Sequence, residues 1–217
     1  TAIGSNALAA NTTADSNTAV GRSSMLSNST GTSNVAVGFE SLKTNTTANN
    51  NTAIGAYSLQ VNTTGSENTA VGQSALQGNT TGANNIAVGK NTMLANTTGT
   101  RNIAIGNTAY DASDTESDNI AIGYAAMTTN TAGGSNNVAL GNYALDALTS
   151  ADNCVAIGHR SQTSTTTGIQ NIGVGTQTLQ DNTTGQENVA IGHNALLANT
   201  TGNSNVAIGQ AALDANT

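Results

Sequence analysis

Gly192-His193-Asn194-Ala195-Leu196-Leu197-Ala198-Asn199-Thr200-Thr201-Gly202-Asn203-Ser204-Asn205-Val206-Ala207-Ile208 is one copy of a unit that fills the whole 217-residue chain. The Gly that closes a tripeptide such as Ala-Ile-Gly or Ala-Val-Gly recurs at a spacing of 17, at Gly4, Gly21, Gly38, Gly55, Gly72, Gly89, Gly106, Gly123, Gly141, Gly158, Gly175, Gly192 and Gly209. One interval is 18 residues, where Gly133 and Gly134 carry an extra residue. A fixed period of this length is the signature of a stacked repeat architecture. The consensus GxxALxxNTTGxxNxAI leaves no room for a second kind of domain, so residues 1–217 read as a single repeat array.

Each column of the repeat has a physical reading. The residues on either side of the strand alanine are mostly β-branched, as in Val35 and Val37, Ile103 and Ile105, or Val206 and Ile208. Residues two apart share a face of a strand, so every copy predicts a short strand with large aliphatics on one face and Ala on the other. The Gly stops it and can turn through positive φ. A second apolar signal follows four and five residues into the copy, with counterparts at Ser41-Leu42 and Ala75-Leu76 and with Met25, Met93 and Met127 as substitutes; it is too short to be read as strand or helical turn. The Asn-Thr-Thr-Gly stretch is turn chemistry.

Seventeen residues cannot fold alone. Burying two or three aliphatics yields about 1.5–3 kcal/mol each, whereas ordering the backbone costs about 1–2 kcal/mol per residue. The difference must come from hydrogen bonds and burial between stacked copies. The expected fold is therefore all-β, a parallel β-roll or β-solenoid of thirteen coils. At a ladder spacing of about 4.8 Å the stack would make a rod on the order of 60 Å long. Stacking also aligns an asparagine column, Asn17, Asn34, Asn51, Asn68, Asn85, Asn102, Asn119, Asn137, Asn171, Asn188 and Asn205, with Cys154 taking the Asn place in its copy. Side-chain amides so aligned can form a ladder. If the large aliphatics fill the coil, the Ala face points outward along the full rod, and such a stripe marks an assembly surface. Identical stripes favour a symmetric homo-oligomer, and three rods about one axis cover all three.

Composition removes several functions. Only 8% of residues are charged and 2% aromatic, far from the make-up of an ordinary globular enzyme. With 36 Thr, 32 Asn and 24 Gly but no Pro, the chain does not read as disordered either. Five cations and a net charge of −7 give no basic stripe for nucleic acid. The apolar runs are far below the roughly 20 residues of a spanning helix. Nothing resembles a nucleophile elbow or a phosphate loop, so neither an enzyme nor a cofactor is expected. His159 and His193 occupy the same repeat position two coils apart, too far for one metal ion. The candidate Ca²⁺ site is the acidic patch Asp111, Asp114, Glu116 and Asp118, in the copy that has lost its NTTG, with a solvated acidic turn as the default reading. Asn11, Asn28, Asn45, Asn62, Asn79, Asn96, Asn182 and Asn199 each begin an NxT sequon, a candidate glycan ridge if the chain is secreted, although turn geometry alone explains NTTG.

The NxAIGxxAL pattern, carried by copies such as Asn51-Thr52-Ala53-Ile54-Gly55, resembles the repeats of trimeric autotransporter adhesin heads (YadA-like) and the NTAIGxxALxxNTTG arrays of tail-fibre-type and large bacterial and phage surface proteins. The resemblance covers all thirteen copies, but the period is 17 residues where the head family's is nearer 14. It implies a left-handed parallel β-roll in which three chains associate. The expectation is an extracellular structural or adhesive fibre at a cell surface or on a virion: a homotrimeric section of a longer fibre, without caps, with a host-surface or glycan receptor. The alternative is an ice- or crystal-surface-binding solenoid. Its paired threonines, such as Thr46-Thr47 and Thr63-Thr64, are adjacent and would point to opposite strand faces, whereas a flat Thr face needs a spacing of two.

Overall fold

The computed structural model describes residues 1–130 and 133–216. It is all-β, a parallel β-solenoid, and divides into two compact units, Thr1–Thr108 and Ala109–Thr217. The first unit holds β1 (Ala2–Ile3), β2 (Thr18–Val20), β3 (Val35–Val37), β4 (Thr52–Ile54), β5 (Thr69–Val71), β6 (Ile86–Val88) and β7 (Ile103–Ile105). The second holds β8 (Ile120–Ile122), β9 (Val138–Leu140), β10 (Val155–Ile157), β11 (Ile172–Val174), β12 (Val189–Ile191) and β13 (Val206–Ile208). Within each unit every strand pairs in parallel with the next, and the register follows the repeat: Ala36 opposes Ala53, and Ala53 opposes Ala70. The 18-residue interval is absorbed before β9, so Ala121 still opposes Ala139.

The strand faces are the reverse of the expectation. Ala19, Ala36, Ala53, Ala70, Ala87 and Ala104 are fully buried, while the β-branched residues beside them lie half-buried or exposed on the outside. The cause is what crosses the interior. The Leu or Met of the AL segment (Met25, Leu42, Leu59, Leu76, Met93) is itself fully buried and fills the thin core from the opposite wall, leaving the strand room for a methyl group. In the second unit Leu179, Ala190, Ala195, Leu196 and Ala207 form one such cluster. Gly173 shows how tight the fit is. It faces two hydroxyls where most copies have at least one Ala, and a Cβ there would lie 2.7 Å from Ser161 Oγ and 2.8 Å from Thr178 Oγ1.

The AL segment is neither strand nor helix. It is a run of turns in which alternate residues have positive φ, for example Glu40 at 53° and Leu42 at 51°. Its backbone still bonds from coil to coil, with Leu42 N–H donating to Ser58 O at 2.9 Å and Tyr57 N–H to Phe39 O at 2.9 Å. The left-handed conformation disfavours a bulky side chain by roughly 1–2 kcal/mol per residue. Here it recurs because it keeps the peptide groups aligned with the axis while the wall stays turn-like. At the anchor, φ lies between 123° and 144°, and a Cβ on Gly55 would sit 2.4 Å from Gly72 O, so only Gly fits.

Candidate interaction face and its rims

Each three-residue strand, β2 to β13, turns two side chains outward, and within each unit these stack into two ranks. In the first unit one rank is Thr18, Val35, Thr52, Thr69, Ile86 and Ile103, beside Val20, Val37, Ile54, Val71, Val88 and Ile105. In the second it is Ile120, Val138, Val155, Ile172, Val189 and Val206, beside Ile122, Leu140, Ile157, Val174, Ile191 and Ile208. Neither rank carries a charge. Ile54 remains 41% exposed, Ile105 39%, Ile122 37% and Ile191 39%, although each is flanked by neighbours in the ladder. A monomer surface seldom leaves so many large aliphatics exposed on the strand face of each unit.

The face is bordered by two rims, one enriched in carboxylates and the other in Arg, Lys and His. The residues one and two places before the buried strand-entry Asn or Cys include Asp15 and Glu67 in the first unit and Asp118, Asp152 and Glu187 in the second, with Arg101 as the exception. The two residues after the anchor Gly include Arg22 and Lys90 in the first unit and His159, Arg160 and His193 in the second; the exception is Glu40. Glu40 is held in an ion pair with Lys43 at 3.1 Å, and that contact pulls its carboxyl below the usual range. Four of the five aromatic residues also sit on the basic rim. Arg22 lies over the Phe39 ring at 4.6 Å, and Phe39 meets Tyr57 edge-on at 5.2 Å. In the second unit Tyr124, Tyr143 and His159 run ring to ring at 5.5 and 6.2 Å, with the Arg160 guanidinium 5.8 Å from Tyr143.

The asparagine column expected from the sequence is present in the interior. Asn34, Asn51, Asn68, Asn85, Asn102, Asn119 and Asn188 are buried, and Asn205 is half-buried. Its main bond is side chain to backbone: Asn51 N–H donates to Asn34 Oδ1 at 2.9 Å, and Asn51 Nδ2 donates to Gly65 O at 2.9 Å. Cys154 keeps the place of the missing asparagine, its backbone N–H donating to Asn137 Oδ1 at 2.9 Å. Its buried thiol is pushed up to about 11.

The sequon asparagines form a second ladder, amide to amide. Asn45 Nδ2 donates to Asn28 Oδ1 at 2.7 Å, Asn62 to Asn45 at 3.0 Å, Asn79 to Asn62 and Asn96 to Asn79 at 2.8 Å each. Asn199 donates to Asn182 at 3.1 Å. Asn28, Asn45, Asn62, Asn79, Asn96, Asn182 and Asn199 are fully buried, so the folded coil offers none of these nitrogens as a glycan acceptor. Asn11, in the first coil, is exposed and donates to Ala14 O at 3.1 Å.

The acidic side chains of the patch do not converge on one point. Glu116 is buried, with Oε2 accepting from the N–H groups of Asp114 and Thr115 at 2.9 and 3.1 Å and Oε1 from Gly133 N–H at 3.0 Å. Its carboxylate thus organises the turn that NTTG makes elsewhere, and among the described residues no three acidic, His or Cys side chains converge as metal ligands, Asp111 and Asp118 included. The same coil has Tyr110 in the Leu place and Ser113 in the ladder place. The buried Tyr110 hydroxyl accepts from Asn119 Nδ2 at 2.6 Å and Asn130 Nδ2 at 3.2 Å, replacing the missing amide oxygen. Burial holds its phenol well above the ordinary tyrosine range.

No protein-family model and no curated protein sequence matches the chain. Among the described residues no helix is long and apolar enough to cross a membrane.

Proposed function

We propose that the chain is a segment of an extracellular structural or adhesive fibre, assembled by burying its Ile/Val faces against those of two further copies about a common axis. The observation that carries this reading is the uncharged face of Ile, Val and Thr that recurs from coil to coil within each unit, with Ile54, Ile105, Ile122 and Ile191 each more than a third exposed. A parallel ladder of identical coils gives every copy the same face at the same spacing, which suits closed rotational symmetry. The rest of the surface, rich in Thr and Asn, remains available to a host surface or a glycan. Replacing Ile54, Ile105 and Ile191 together by Asp tests the reading: assembly should be lost with the coil's circular dichroism unchanged, and an unchanged mass would refute it.

One observation favours a second reading. Thr18, Thr52 and Thr69 lie beside Val20, Ile54 and Val71 on a single outward face, at the spacing of two that a lattice-matching surface needs and that the paired turn threonines lack. Ranks about 4.8 Å apart along the ladder form a regular array of methyl and hydroxyl groups. Thermal hysteresis from a monomeric chain would favour this ice-binding role over the fibre.

A further inference from the structure

We propose that the second unit holds a junction built to part locally, between the coil of residues 154–170 and the coil of residues 171–187, and that this opening presents the buried Cys154 thiol to a disulfide. The fibre reading neither requires this opening nor supplies it.

The stability of a coil stack is close to a sum of terms between nearest neighbours, so a poor junction opens ahead of sound ones. Three features tie a consensus coil to the next: the strand-entry asparagine, the turn asparagine, and the Leu or Met that crosses the interior. Residues 154–170 have lost all three, with Cys154, Thr165 and Gln162 in their places. Asn51 Oδ1 accepts the N–H of Asn68 at 2.9 Å, whereas the N–H of Asn171 faces the Cys154 sulfur. Asn45 Oδ1 accepts from Asn62 Nδ2 at 3.0 Å, whereas the buried Thr165 hydroxyl has no partner among the described residues and Asn182 Nδ2 bonds Gly185 O of its own turn. Leu59 fills the interior of its coil with methyl groups, whereas Gln162 buries an amide. Its Nε2 donates to Val155 O at 2.8 Å inside the same coil, and its Oε1 has no partner among the described residues.

A buried polar atom left without a partner carries a desolvation cost that water recovers when the site opens. Two such atoms, Gln162 Oε1 and Thr165 Oγ1, lie in the coil that holds Cys154. The apolar contact is thin as well, because Ala156 opposes Gly173 across this junction and Ala139 across the previous one. Ser161 Oγ does reach Thr178 Oγ1 at 2.7 Å, and Asn171 Nδ2 donates to Gly168 O at 3.0 Å, yet neither bond satisfies Gln162 Oε1 or Thr165 Oγ1. The coil of Tyr110 also departs from the consensus, but there the phenol hydroxyl takes up Asn119 and Asn130.

Closed, the junction keeps Cys154 buried, with Sγ 3.2 Å from Gly168 O, and a buried thiol is inert. Opened, the thiol gives its proton to water and the thiolate attacks one sulfur of a disulfide. The S–S bond breaks, the other half leaves as a thiolate, and a mixed disulfide on Cys154 remains.

Amide hydrogen exchange on the full chain tests the opening directly. The N–H groups of Val155 and Gln162 cross the junction to Asn171 O and Thr178 O at 2.8 Å each; those of Thr52 and Leu59 make the equivalent bonds in the first unit, to Asn68 O at 2.9 Å and Ala75 O at 3.0 Å. Val155 and Gln162 should exchange roughly ten-fold faster or more. Labelling with an aromatic disulfide at pH 8 tests the thiol. Cys154 should react far more slowly than a free thiol, yet roughly ten-fold faster than a thiol introduced by Asn68→Cys in a Cys154→Ala chain, whose coil keeps Leu76 and Asn79. Gln162→Leu with Thr165→Asn restores two of the three ties and should slow the labelling of Cys154 by a similar factor. Exchange at Val155 and Gln162 as slow as at Thr52 and Leu59 overturns the proposal, and so does a folded repaired chain that labels at the parent's rate. If a variant fails to fold, the parent chain's amide exchange decides. That comparison is made within one chain, so the number of copies in the particle does not enter it.

Discussion

Asn62→Ala should destabilise the first unit far more than its small change in volume suggests. Asn62 is fully buried; its Nδ2 donates to Asn45 Oδ1 at 3.0 Å and Gly65 O at 2.9 Å, and its Oδ1 accepts from Asn79 Nδ2 at 2.8 Å. Two of the three bereaved groups keep another partner: Gly65 O still accepts from Asn51 Nδ2, and Asn79 Nδ2 still donates to Gly82 O. Asn45 Oδ1 is left buried without its donor. Three lost bonds at about 1 kcal/mol net each, plus about 1–3 kcal/mol for the orphaned oxygen, give roughly 4–6 kcal/mol. Thr64→Ala, an exposed change in the same turn, should stay within about 0.5 kcal/mol. Repeat arrays can unfold in parts, so the assay is urea titration by circular dichroism together with amide hydrogen exchange read coil by coil. A loss for Asn62→Ala no greater than that for Thr64→Ala would refute the view that the amide ladder holds the coils together.

Other substitutions probe the remaining columns. Ala70→Leu overfills the interior and should cost about 3 kcal/mol, whereas Val71→Leu, one residue along and outward-facing, should change stability by less than about 0.5 kcal/mol; equal effects in thermal melts would contradict the assignment of faces. Tyr110→Phe removes the hydroxyl shared by Asn119 and Asn130 and should cost about 1–2 kcal/mol in the second unit, checked by the same titration. The Cys154 thiol, normally near 9.0, is raised to about 11, so the unfolded chain loses its proton first as pH rises. Stability should therefore be unaffected by this group below about pH 9 and fall by up to about 3 kcal/mol by pH 11. Cys154→Ala should flatten that slope, and rapid reaction of the native thiol with an aromatic disulfide at pH 8 would contradict its burial.

Much of the fold is legible in the repeat because the period fixes which residues become neighbours. Val35, Thr52 and Thr69 had to align once Gly38, Gly55 and Gly72 did. The sidedness of the strand was not legible, since a pattern such as Val35-Ala36-Val37 gives two apolar faces and hydrophobicity alone prefers the larger one inside. Deciding it requires the distance to the opposite wall, which Leu42 and Leu59 span. The turn state of the AL segment was equally hidden, because positive φ at residues such as Leu42 runs against local preference and persists only through bonds to adjacent coils. The NTTG asparagines carried a turn signal that masked their ladder. The Glu116 turn and the Tyr110 hydroxyl each replace a consensus group with a chemically different one, so they appeared in the sequence only as departures. The rims were visible in principle: sorting charges by repeat position separates Asp152 and Glu187 from Arg160 and His193 without coordinates.

The solution mass of the chain, measured by light scattering after size exclusion at micromolar concentration, bears most directly on the claim that the Ile/Val face is an assembly surface. The account predicts a mass near three times the 21.5 kDa of one chain. A stable particle of a single chain's mass would contradict it.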